Sequence, residues 1–222
     1  MRKLALFAMV FVLAVSVSGF ANVCGIQNQV YCQEFDQSGN AYSSQNDTAG
    51  FGLFAQVYDN FTLGSNTNLT SIHFEGAYFN PPQQGPITQF TVQLFSDAGG
   101  QPGTLLQSVS VAGTASETFD GNFGGFPFYT YSVALPNWAV TAGTQYWISV
   151  YPDLAFPPQW GWASGNGGDG VSYQDFFGAR TPLAADMAFA LDGSGQIGTP
   201  EPSSLMLLGA GLLGFASKLR RK

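Results

Sequence analysis

Along the middle of the chain, apolar and aromatic residues recur at every second position. The alternation is clear at Ile72, Phe74, Gly76 and Tyr78; at Phe90, Val92 and Leu94; at Tyr129, Tyr131, Val133 and Leu135; at Tyr146, Ile148 and Val150; and at Met187, Phe189 and Leu191. A period of two puts each set on one face of an extended strand, so the pattern commits this region to half-buried β-structure. Weaker runs at Val57–Leu63, Leu105–Val111 and Val171–Phe177 bring the expected total to about eight strands. No helical stripe longer than a turn or two competes with them. Turn chemistry falls between the runs, as in Asp97–Gly103 and Thr141–Thr144. With 28 glycines and 15% aromatic residues, the composition also suits short strands and tight turns. Strands without crossover helices predict an all-β fold, an antiparallel β-sandwich of jelly-roll type, over residues 22–192. A Gly-, Ser- and Gln-rich linker is expected at 193–199.

The placement of charge narrows the partners. Six of the seven basic residues lie at the two ends (Arg2, Lys3, Lys218, Arg220, Arg221, Lys222), so residues 22–199 carry Arg180 alone against 13 acidic residues, a net charge of −12. Such a body repels phosphate backbones and anionic lipid headgroups, which argues against nucleic-acid binding and against docking of the body on acidic membranes.

Both ends read as addresses. Residues 1–21 run from the basic pair through an apolar stretch, Leu4–Val17, to small residues ending at Ala21, the order of a secretory signal helix with cleavage expected after Ala21. A lipoprotein using Cys24 and an uncleaved anchor are the alternatives. The two cysteines of the chain, Cys24 and Cys32, open the mature segment, and an oxidising compartment predicts a disulfide between them. At the other end stand Pro200-Glu201-Pro202, the apolar stretch Ser203–Ser217, and the basic cluster Lys218, Arg220, Arg221 and Lys222. This tail, residues 200–222, resembles the PEP-CTERM sorting signal. The resemblance implies that Pro200, Glu201 and Pro202 form the recognition motif, that a transmembrane helix and a cytoplasmic basic end follow, and that the partner is a sorting protease of exosortase type. The prolines remove backbone donors and keep the motif out of helix. Fifteen apolar-stretch residues make about 22 Å of helix, short for a span unless the flanking cations snorkel. Gly143–Val150 also resembles a strand that recurs in uncharacterised exported β-sandwich domains bearing this tail.

Candidate sites within the body are few. For Trp160 and Trp162, after Pro157-Pro158, filling the core and covering loops is the first reading, and stacking on sugar rings, for which they are the candidates, is the alternative. The loop Gly165–Gly170 with Asp169, followed by Asp175, is a candidate calcium site, although its spacing departs from an EF-hand. No other cofactor is expected. His73, the only histidine, alternates against Ile72 and Phe74 and so belongs to the outer strand face. No nucleophile-elbow motif accompanies any serine. The sequence therefore predicts an exported cell-surface or extracellular-matrix protein that acts by binding, with extracellular polysaccharide as a candidate partner, or as structural material, and not as an enzyme. A carbohydrate-binding module and a secreted hydrolase are the alternative readings.

Overall fold

A computed structural model describes residues 23–25 and 28–195. The expected signal helix, the sorting motif, the apolar stretch and the basic cluster lie outside the described residues. Fifteen strands follow one another among those described: β1 (Gln29–Phe35), β2 (Ala41–Ser43), β3 (Gln45–Asp47), β4 (Gly52–Thr62), β5 (Thr67–Phe79), β6 (Gln89–Asp97), β7 (Pro102–Ala112), β8 (Thr118–Phe123), β9 (Phe126–Val140), β10 (Gln145–Asp153), β11 (Gln159–Asn166), β12 (Ser172–Phe176), β13 (Ala179–Leu183), β14 (Asp186–Met187) and β15 (Phe189–Gly195). Every expected run falls on one of these strands, or on β14 and β15 together. The additional strands are short or lack a two-residue period. The sandwich also continues beyond the expected boundary at residue 192: Gly193, Ser194 and Gly195, read above as linker, still pair with Leu69, Asn68 and Thr67.

Two sheets form the sandwich. One runs β14–β11–β1–β15–β5–β9–β8, with β2 also on β11; the other runs β13–β12–β4–β3–β10–β6–β7. All pairings are antiparallel except β3 with β10. Strand β5 serves two neighbours along one edge, pairing with β15 from Thr67 to Phe74 and with β11 from Gly76 to Phe79. The long antiparallel strands β5 and β9, brought together from distant parts of the chain, give the first sheet its spine.

The alternation seen in the sequence is the alternation of faces. Ile72, Phe74 and Tyr78 meet Tyr131, Val133, Phe189 and Leu191 from their own sheet, and Val57, Phe61, Phe90, Val92, Ile148 and Val150 from the other, in a single buried cluster. Burial at this scale removes several thousand Å² of apolar surface from water, the main favourable contribution to folding. Trp147, out of phase with Ile148, packs on the far side of its sheet against Tyr58 and Phe95. There its indole donates to Asp97 Oδ1 at 2.9 Å, while Arg180 lies 5.0 Å over the Tyr58 ring and binds Asp175. The single cation of the body thus roofs an aromatic cluster that an open strand face would expose.

Strand β11 is one of the strands that the alternation does not reveal. It is buried on both faces from Gln159 to Gly165, so it shows no alternation. Trp160 and Trp162 are fully buried. The Trp160 ring enters the space where Gly76 of β5 has no side chain, and a Cβ at Gly76 would overlap the ring atoms Cζ2 and Cε2. Its Nε1 donates to Tyr131 Oη at 3.1 Å. Tyr131 and Tyr78 in turn donate to Glu117 Oε1, at 2.9 and 2.7 Å.

Glu75, on the other face of β5, is a different kind of buried group. It is fully buried, and neither carboxyl oxygen has a hydrogen-bond partner. Burial, with Asp120 adding to it, pushes its pKa up to about 9. The folded chain therefore holds this carboxyl protonated where the unfolded chain ionises it. A raised acid pKa subtracts stability as pH rises from the unfolded value toward the folded one.

Two outcomes follow from this packing. Gly76→Ala is expected to cost about 1–3 kcal/mol, because the methyl must displace the Trp160 indole; urea denaturation followed by tryptophan fluorescence measures it. Glu75→Gln is expected to match the parent near pH 4 and to exceed it by roughly 2–4 kcal/mol at pH 8. Unfolding curves at the two pH values check the sign, and an equal difference at both would refute the linkage.

Candidate functional site

Trp160 and Trp162, the candidates for stacking on sugar, present no face to solvent: both fill the core, the first of the two readings their sequence allows. Trp160 is held as above, and Trp162 donates from Nε1 to the Ala188 carbonyl at 2.9 Å. Surface aromatic character lies elsewhere, in phenylalanines that the sequence reading did not single out.

Phe51, Phe54, Phe156, Phe176 and Phe177 line a cleft of about 290 Å³ at one end of the sandwich, with Asn80 and Gln159 at its polar margin. The cleft joins the turn before β4, the loop between β10 and β11, and the hairpin β12–β13. Its rings pack on one another: Phe176 and Phe177 meet edge to face at 5.0 Å, Phe54 lies 5.4 Å from Phe177, and Phe51 sits 6.0 Å from Phe177 and 6.4 Å from Phe156. Yet Phe51 is 63% exposed and Phe177 61%. Exposed apolar clusters of this kind, unlike scattered single residues, mark interaction sites.

The backbone under Phe177 strengthens that reading. Phe176 pairs with Ala179 across a two-residue hairpin, and both loop residues have positive φ, 47° at Phe177 and 82° at Gly178. Such turns favour Asn-Gly or Asp-Gly, since a bulky side chain is strained there. A phenylalanine at this position strains the backbone and, with its ring 61% exposed, gains little burial in return. Its N–H donates to the Phe54 carbonyl at 2.7 Å, which fixes the turn over the cleft.

Asp47, at the end of β3, organises the opposite wall. Its Oδ1 accepts from the N–H groups of Phe156 and Ala49, and its Oδ2 from that of Phe51, each at 2.8 Å. Burial by itself raises the pKa of this carboxyl, but the backbone donors outweigh it and hold the group below its ordinary value. One anionic side chain therefore ties two of the ring-bearing segments together. Gln159 is engaged with Ser43 Oγ at 2.6 Å, whereas Asn80, exposed and with φ of 55°, leaves its amide open to a ligand.

The expected calcium pair does not share a site. Asp169 accepts from Asn60 Nδ2 at 3.1 and 3.2 Å and from Val171 N at 3.0 Å. Asp175 is bound by the Arg180 guanidinium at 2.7 and 2.8 Å and by Tyr58 Oη at 3.0 Å, and the Arg180 bond holds its pKa down. The glycine loop is pinned by Asp186, which accepts from Gly168 N and Gly170 N. Asp59 lies close by and is buried, with its pKa driven well up by burial. It accepts from Met187 N and Asn60 N, and from Gln33, whose amide nitrogen faces it at 2.7 Å. These carboxylates are occupied with backbone and amide donors. Among the described residues no group of three or more His, Cys, Asp or Glu side chains is placed to hold a metal ion.

His73 meets Asp192 Oδ2 at 2.8 Å, and the Ser71 hydroxyl donates to that same oxygen at 2.6 Å. The serine is thus bound to the carboxylate and not to the imidazole, which is the wrong order for activating a nucleophile. Cys24 and Cys32 are joined as a disulfide with Cα atoms 5.7 Å apart, tying the start of the described chain to β1.

The chain as a whole matches no curated protein and no solved structure. Residues 199–222, however, match the family model of the PEP-CTERM protein-sorting motif. The chain is therefore an exported protein, all-β over its described residues, that carries a PEP-CTERM sorting tail, the mark of a substrate anchored by its C-terminus before processing by an exosortase.

Proposed function

We propose that the body acts at the cell surface as a non-catalytic binding module, with the phenylalanine cleft as its ligand seat and a neutral extracellular polysaccharide as its ligand. The observation that carries this reading is Phe177, an exposed aromatic ring held on a turn residue with positive φ, where Asn would be cheaper. Strain persists when function requires it, and a rigid exposed ring is what stacking on the apolar face of a sugar needs. The free Asn80 amide beside the rings supplies a hydrogen-bonding group for a hydroxyl. The net charge of −12 on residues 22–199 disfavours anionic polymers by repulsion, which leaves neutral glycans. A non-catalytic role is supported by the arrangement of Ser71, His73 and Asp192, in which no nucleophile meets a base.

Affinity electrophoresis through gels containing neutral or acidic polysaccharides tests the proposal. Retardation is expected in at least one neutral glycan, and Phe51→Ala and Phe177→Ala should each weaken it about tenfold, since these rings are exposed and their loss removes stacking area. Unaltered mobility of the parent in every neutral gel, or unaltered retardation of both variants, would overturn it. Asp47→Asn is expected to weaken binding as well without touching the ligand, by loosening the Phe51 and Phe156 segments. It should also lower stability by about 1–3 kcal/mol, with the deficit present at pH 7 and vanishing as the pH falls through the depressed pKa of Asp47, where the parent carboxylate is itself neutralised.

A further inference from the structure

The two sheets present four edges among the described residues, and three of them carry devices that prevent a further strand from pairing. At the edge of the second sheet, β13 has only five residues and includes Pro182, which removes a donor from the rim. At one edge of the first sheet, β8 is interrupted by a bulge between Phe119 and Gly121 and carries Asp120. At the other, β14 is two residues long and its neighbour β2 three.

The fourth edge, β7, is built differently. It is 11 residues long, is exposed over most of its length, and pairs only with β6. Its register is irregular near Leu105 but regular from Gln107 to Ala112, opposite Leu94 to Gln89. After Pro102 it contains no proline, and no charged residue occurs between Asp97 and Glu117. Val109 and Val111 pack on the core while Ser108 and Ser110 are exposed, so the strand keeps a fixed face. Leu105 and Leu106 remain 46% and 44% exposed. An edge that is long, regular, neutral and partly apolar offers unpaired N–H and C=O groups to any strand of matching length.

We propose that β7 pairs antiparallel with β7 of a second copy of this chain, joining two seven-stranded sheets into one continuous sheet across a two-fold axis. Antiparallel pairing of a strand with itself is isologous, so every donor on one copy meets an acceptor on the other, without a further partner. Charge selects this edge among the four. The bodies repel one another, and β7 from Gln107 to Ala112 offers a rim with no charged side chain of its own, Arg180 meeting the strand only at its start, on the Pro102 carbonyl. The association is accordingly strengthened by salt, which screens the repulsion between bodies and leaves the neutral ladder unaffected. This inference is independent of the ligand assigned to the phenylalanine cleft, which lies at the β12–β13 side of the same sheet.

The test uses the exported chain purified from its own cells. Sedimentation equilibrium at low and high ionic strength is expected to show a monomer–dimer equilibrium that shifts toward dimer with salt. Amide exchange should show concentration-dependent protection confined to Gln107–Ala112. Ser108→Glu puts like charges on the shared rim without touching the core, and is expected to weaken association about tenfold; Ser65→Glu, on an exposed loop, adds the same charge elsewhere and should leave it within about twofold. A chain that stays monomeric at all concentrations, or a dimer whose protection lies outside β7, would overturn the proposal. So would equal weakening by both substitutions. A dimer abolished by Phe177→Ala would assign self-association to the cleft and likewise exclude the edge.

Discussion

The architecture depends on burying the indole of Trp160 between the sheets with its one polar atom satisfied. Strand β11 can lie within the sandwich only because Gly76 leaves room for the ring and Tyr131 accepts its N–H. That tyrosine has its own requirement, met by Glu117, which also takes the hydroxyl of Tyr78. A buried donor without an acceptor would cost a few kcal/mol, a large part of the net stability of a domain this size. The chain of bonds from indole to carboxylate carries the polarity of the interior out to Glu117, whose second oxygen meets Gln84 at an exposed position. Strands β5, β8–β9 and β11 are thereby fixed in one register.

The surface follows from what that core leaves over. Aromatic residues outnumber the places inside, and the structure disposes of the excess in two ways. Tyr58, Phe95 and Trp147 form a small second cluster covered by Tyr173 and the Arg180–Asp175 pair. Phe51, Phe176 and Phe177 remain open at the end of the sandwich, held there by the Asp47 clamp and the strained hairpin. One cluster is capped by the only cation available to the body; the other has no cap. That contrast gives the cleft its character, since the same side-chain chemistry is hidden where it serves stability and displayed where it does not.

Surface charge acts in the same direction. An acidic body stays soluble beyond the membrane and resists indiscriminate association, so any specific contact must be made where carboxylates are absent. The lining of the phenylalanine cleft, beneath which the Asp47 carboxylate is buried, and the β7 rim are two such places. Glu75, by contrast, shows how far the fold tolerates an acid inside it: without partners, the carboxyl remains neutral at the expense of stability at higher pH.

The linear order of residues determined the sorting tail and the fold class, because each rests on local pattern. Pro-Glu-Pro before an apolar stretch and a period of two both survive whatever the distant chain does. Strands such as β5 and β10 were legible since one face meets the core and the other does not. The strand β11, covered on both faces, carries no period, so the sequence left two readings open for Trp160 and Trp162, and the structure places both inside. The phenylalanine doublet at 176 and 177 did hold a readable signal: Phe177 precedes Gly178 between two short runs, the place of a tight turn, and a ring on a turn has no sheet face to pack on. Which rings gather with it, that Asp47 binds the walls of their cleft, and that Asp169 and Asp175 part company to Asn60 and Arg180, only the tertiary structure decided. These contacts join residues up to about a hundred positions apart, and their geometry is set by sheet packing, which no local pattern encodes.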